Sequence, residues 1–178
     1  ICTTVRNPAV LMSINFFVVC CQTSSSRKVF GLCDDPPPAA NPAYIDEADG
    51  AKWIAVVENE DLHDVTFTAI DHCIVIVRPD GKPAKKCDGA LSFNSTIIFV
   101  ELKQQDTNRK EWIKEGEMQL RTTIDYFERE DVAEDFENKQ AFIANSDRPK
   151  FMETQAGRMN QFFIDTGYVL RIVNRIKL

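Results

Sequence analysis

Three features of the sequence predict an α/β fold in which a mixed β-sheet is flanked by helices. Apolar residues alternate with threonines over 65–69, the run 96–102 (TIIFVEL) is almost entirely apolar, and a long amphipathic stretch follows from about residue 108 to 130. With 178 residues, 44% hydrophobic and 27% charged, the chain is sized for one well-buried core and one site.

Taken in order, residues 9–21 (AVLMSINFFVVCC) form an apolar run shorter than the roughly 20 residues that span a bilayer. They read as a buried N-terminal element, with a processed export leader as the alternative and no membrane association expected. The Asp34-Asp35-Pro36-Pro37-Pro38 stretch reads as an extended linker, because proline lacks a donor and restricts the residue before it. The expected organisation is therefore an N-terminal element and linker over 1–40 and a domain over 41–178.

Residues 44–51 are helix-compatible and rich in acids, whereas 53–57 (WIAVV) favour a strand. Strands are expected at 65–69, 73–78 (CIVIVR), 85–91 and 96–102, with turns at 79–83 and at Asn94-Ser95. The near-continuous apolar run at 96–102 is the pattern of a strand covered on both faces. In the helix that follows, Ile113, Leu120, Ile124 and Phe127 make one apolar stripe, with Trp112, Gln119 and Tyr126 beside it. A strand at 140–144, a loop at 147–149, a short helix at 159–164 and a closing strand at 168–176 complete the prediction.

The chemistry concentrates in Cys87-Asp88-Gly89-Ala90-Leu91, a turn, and Phe99-Val100-Glu101-Leu102-Lys103. Alternation along a strand puts Glu101 and Lys103 on one face and Leu102 on the other. If the two runs pair as a hairpin, Asp88 lies beside Glu101. Two carboxylates converging next to an amine repel and lose hydration unless a cation sits between them. Asp88 and Glu101, with the Leu102 carbonyl, suit Mg²⁺ or Mn²⁺, and Lys103 is placed to steady a water or developing charge.

On these residues the sequence resembles the PD-(D/E)XK nuclease superfamily. Asp88, Glu101 and Lys103 stand in the places of its D…ExK pattern, and Gln119 resembles the glutamine many members carry on the next helix. The resemblance implies a restriction-endonuclease-like fold and Mg²⁺-dependent endonuclease (phosphodiester hydrolase) activity on nucleic acid, DNA favoured. Its catalytic residues would be Asp88, Glu101, Lys103 and Gln119. Two departures stand out: Cys87 replaces the expected proline, and the additional acid of the first helix is assigned only to Glu47, with Asp71 as a second candidate. Catalytically silent members imply a second reading, a module that binds nucleic acid or protein without cutting.

A net charge of −6 excludes a generic nucleic-acid coat. Charge is uneven, however: residues 78–110 hold seven bases against four acids. Lys82, Lys85, Lys86, Arg109, Lys110 and, further on, Arg148 are the expected nucleic-acid contacts, with solvated surface charge as the plainer alternative. His72, Trp53 and Trp112 read as structural, and Glu115 falls one turn before Gln119. The six cysteines show no CxxC spacing and read as buried reduced thiols of a cytoplasmic protein. A homodimer or a targeting partner is the expected assembly for so small a nuclease.

Overall fold

The computed structural model describes residues 13–104, 111–147 and 155–178. In chain order the strands are β1 (Gln22–Ser25), β2 (Val29–Cys33), β3 (Tyr44–Asp46), β4 (Ala55–Glu58), β5 (Val65–Ala69), β6 (Gly89–Phe93), β7 (Thr96–Lys103), β8 (Asn138–Asn145), β9 (Val169–Ile172) and β10 (Arg175–Lys177); the helices are α1 (Glu111–Phe127) and α2 (Ala156–Thr166). The strands form two mixed sheets, ordered β1-β5-β6-β7-β8-β9 and β10-β4-β2-β3.

The apolar run at 96–102 becomes β7, buried at every residue but Lys103, antiparallel to β6 and parallel to β8. Its two faces serve two cores. Ile97 and Phe99 pack with Ile113, Leu120, Ile124 and Phe127 of α1 and with Phe162 of α2. Ile98, Val100 and Leu102 pack against Phe30, Leu32, Val57 and Ile176 of the smaller sheet. Among the described residues, helices therefore cover one face. The other face, expected to carry helices as well, is covered by a second sheet, so the central strand β7 is apolar on both sides while the edge strands β1 and β9 keep exposed residues.

Several local expectations are corrected. Within the segment expected to stand apart as 1–40, residues 22–33 are built into the sheets: β1 pairs with β5, and β2 lies between β3 and β4. The proline-rich segment connects two paired strands of one sheet. Residues 44–51, compatible with a helix, begin as β3, and the Asp46 carboxylate then accepts from the N–H groups of Ala48 and Asp49 and from Trp53 Nε1, holding a turn. The closing strand divides into β9 and β10, one in each sheet.

The CIVIVR segment is not a ladder strand. Ile74 and Ile76 are buried and Val75 and Val77 exposed, so the alternation is real, but its backbone bonds are local: Ile74 donates to Ile70 and Ala84 to Ile76. Cys73 is joined to Cys21 by a disulfide, which overturns the expectation of reduced thiols for this pair. Cys33 and Cys87 are buried thiols. No helix among the described residues is long and apolar enough to cross a membrane.

Candidate active site

The antiparallel register Gly89↔Val100, carried one residue on, sets Asp88 opposite Glu101 at the end of the β6–β7 pair. Gly89 permits this pairing because a Cβ there would come within 2.3 Å of the Phe67 ring and 2.6 Å of the Thr68 carbonyl oxygen. Asp88 Oδ2 accepts the Leu102 N–H at 2.5 Å, which ties the first carboxylate to the strand bearing the second.

Glu101 faces α1. Gly116 lies directly over it, where a Cβ would stand 3.2 Å from Glu101 Cγ and 3.2 Å from Ile143 Cγ2, so this helix position must be small for the carboxylate to fit beneath. Lys103 Nζ lies 2.6 Å from Glu101 Oε1 and donates to Gln119 Oε1 at 3.0 Å. Gln119 Nε2 in turn donates to the Lys86 carbonyl at 3.0 Å, closing a chain from β7 through α1 to the segment before Asp88. The expected catalytic group of Asp88, Glu101, Lys103 and Gln119 is thus brought together.

The departure at Cys87 has a physical account. Its N–H donates to Thr123 Oγ1 of α1 at 2.9 Å, a bond that proline could not make. Burial pushes its thiol well above the usual range, with Glu101 adding to the effect, so the sulfur is a packed neutral group.

Electrostatically the site is under stress. Burial raises Asp88 to about 7, partly opposed by the Leu102 N–H, while Asp34 and Asp71 push it further up. Glu101 is driven well above the ordinary carboxylate range by burial and then by Asp88, with Lys103 pulling the other way. Burial works to lower Lys103, but Glu101 outweighs it and holds the amine charged. One oxygen, Glu101 Oε2, is buried with no hydrogen-bond partner. An orphaned carboxylate oxygen is costly, and a cation or a proton resolves it.

This orphan is the observation that fits a divalent ion. Among the described residues no three carboxylate, imidazole or thiol side chains are grouped to hold a metal. Asp88 and Glu101 would therefore be the side-chain ligands, leaving the other positions to water and backbone, a pattern suited to Mg²⁺. Leu102 contributes its N–H to Asp88, and its side chain is buried between the sheets.

The two candidates for the additional acid fall in different places. Glu47 accepts from Ser25 Oγ at 2.6 Å and pairs with Arg27; Ser25 lies opposite Val65, at the far end of β5 from the Ala69–Gly89 pair. At about 3.3 Å per residue, Val65 and Ala69 are about 13 Å apart along the strand. Asp71 is beside the site, where it pairs with Lys86 at 3.3 Å and raises both Asp88 and Glu101. A further acid, not singled out in the sequence, is Asp34 directly after β2, whose charge raises Asp88. Its only sequence signal was an acidic doublet following the apolar run 29–33.

Of the expected nucleic-acid contacts, Lys82 and Lys85 are exposed, but Lys86 is mostly buried, its amine held by Asp71 and by the Ile74 carbonyl at 3.1 Å. Arg109, Lys110 and Arg148 lie outside the described residues. Trp53 covers Gly31, where a Cβ would fall 1.9 Å from the indole, and Trp112 is buried, so both are packing residues. His72 adopts a left-handed backbone, φ 57°, and lies 3.4 Å from Asp71. No protein-family model matches the chain, and no curated protein or solved structure matches it.

Proposed function

We propose that the protein is a metal-dependent nuclease with a restriction-endonuclease-like site, hydrolysing phosphodiester bonds of nucleic acid, DNA favoured. The observation that carries this reading is the orphaned Glu101 Oε2, buried beside Asp88 while the other oxygen of the same carboxylate holds Lys103. A purely structural ion pair would satisfy both oxygens, and a solvated one would not be buried.

In this reading Asp88 and Glu101 hold Mg²⁺ or Mn²⁺, which supplies Lewis acidity toward a phosphate oxygen and lowers the pKa of water. The protein's own contribution is positional. The Leu102 N–H fixes Asp88, Gln119 fixes the Lys103 amine, and the charged amine stands where negative charge develops as the phosphodiester is attacked. The test is incubation of purified protein with DNA and RNA in Mg²⁺, Mn²⁺ or EDTA. Cleavage should require the metal and vanish in Asp88→Ala, Glu101→Ala and Lys103→Ala while each variant stays folded; activity that survives EDTA or Glu101→Ala refutes the assignment.

A second reading, a catalytically silent binding module, is favoured by the absence of a three-ligand cluster among the described residues. It predicts nucleic-acid or protein binding indifferent to EDTA.

A further inference from the structure

A groove of about 500 Å³ meets the site at Gln119, which lines the groove and also accepts from the Lys103 amine. One wall is the segment 83–86, the other the Glu115–Gln119 portion of α1. Its charges balance, Lys85 and Lys86 against Asp71 and Glu115, and the Lys86 amine is already committed to Asp71 and the Ile74 carbonyl. Nothing in that lining draws a phosphate selectively.

The rest of the lining is apolar. Pro83, Ala84 and Met118 face the space, and Met118 is 43% exposed, a long thioether left uncovered on an otherwise amphipathic helix. A flat heteroaromatic ring suits such a lining: its faces gain contact with a polarizable sulfur and a proline, and its edges meet an amide and a carboxylate. A paired base in a duplex presents neither face, since both are stacked.

From this we infer that the groove receives one unpaired nucleobase beside the bond to be cut, making single-stranded nucleic acid the substrate class. The inference rests on the nuclease reading above. It is tested with the intact chain in Mn²⁺, on a set of single-stranded oligonucleotides each carrying one abasic position, alongside the matching duplexes. Single strands should be cut with kcat/KM at least tenfold above duplexes. An abasic position at one fixed distance from the cut should raise KM about tenfold with little change in kcat. Met118→Glu should raise KM for the intact strand by a similar factor and remove the sensitivity to the abasic position. Equal cutting of single strands and duplexes, a flat abasic scan, or an unchanged KM in a folded Met118→Glu protein overturns the inference alone. If wild type cuts none of the strands or duplexes, the nuclease reading falls and takes this one with it.

Discussion

Replacing Asp88 by Asn tests the electrostatic account of the site without any substrate. Asparagine keeps an acceptor for the Leu102 N–H at nearly the same volume but has no charge to bury. In the folded protein Asp88 holds its proton up to about 7, against an ordinary value of 3.8. Between those values the folded state binds more protons than the unfolded chain, so stability falls as pH rises, and the loss is complete above about pH 7. The full gap is worth about 4 kcal/mol at most, at about 1.4 kcal/mol per pH unit. About two of those units lie between pH 5 and pH 7. Wild type should therefore lose about 2 to 3 kcal/mol more than Asp88→Asn between pH 5 and pH 8, as measured by urea unfolding in EDTA. With a urea slope of about 2 kcal/mol per molar, the two midpoints should diverge by about 1 M. Glu101 adds the same sign of pH dependence to both proteins, and easing its repulsion in the variant widens the difference. Parallel pH profiles would show that Asp88 is not a buried, strained carboxylate.

Other outcomes follow from the same geometry. Mn²⁺ affinity should climb with pH through the region around 7 as Asp88 sheds its proton, and calorimetry in two buffers should detect the released proton; a flat profile counts against shared coordination by Asp88 and Glu101. At a hundredfold excess over its Kd the ion should stabilise wild type by about 2.7 kcal/mol, and Asp88→Asn should lose most of that gain in a thermal melt. Cys87→Pro, although it brings the segment closer to the pattern the sequence resembles, should destabilise by about 1 to 3 kcal/mol because it removes the N–H that Thr123 Oγ1 accepts; an unchanged melting curve would remove that account. Lys85→Ala should weaken nucleic-acid binding and flatten its salt dependence without touching stability, whereas Lys86→Ala should lower stability by removing the amine that Asp71 and the Ile74 carbonyl share, and matched effects would erase the distinction drawn between them.

The parts of the fold legible in the sequence are those where burial and pairing coincide. β5, β7 and α1 announced themselves because each packs at least one full apolar face. Residues 73–78 misled for the same reason: alternation reports which side chains are buried, and here Ile74 and Ile76 are buried without a partner strand. Asp46 and Asp49 lie in a helix-compatible stretch but are spent on backbone N–H groups of a turn. At the site, Asp88, Glu101, Lys103 and Gln119 were readable because one hairpin and one adjoining helix carry them. Asp34 was not, since the smaller sheet brings it in from a distant part of the chain, and no local period records that approach.

The way the two sheets are joined bears on how the protein reaches this state. Chain segments cross between the layers at both ends, from β1 to β2 and from β9 to β10, and Arg175 of β10 pairs with Glu58 of β4 across 117 residues. The β6–β7 hairpin and α1 are local and can form early, but the smaller sheet cannot close over them until its most distant strand arrives. Asp34 follows β2 in that sheet, so it comes up to Asp88 only when the two sheets pack together. The charge on Asp34 is therefore set against Asp88 by the packing of one sheet on the other, and not by the hairpin that carries the site.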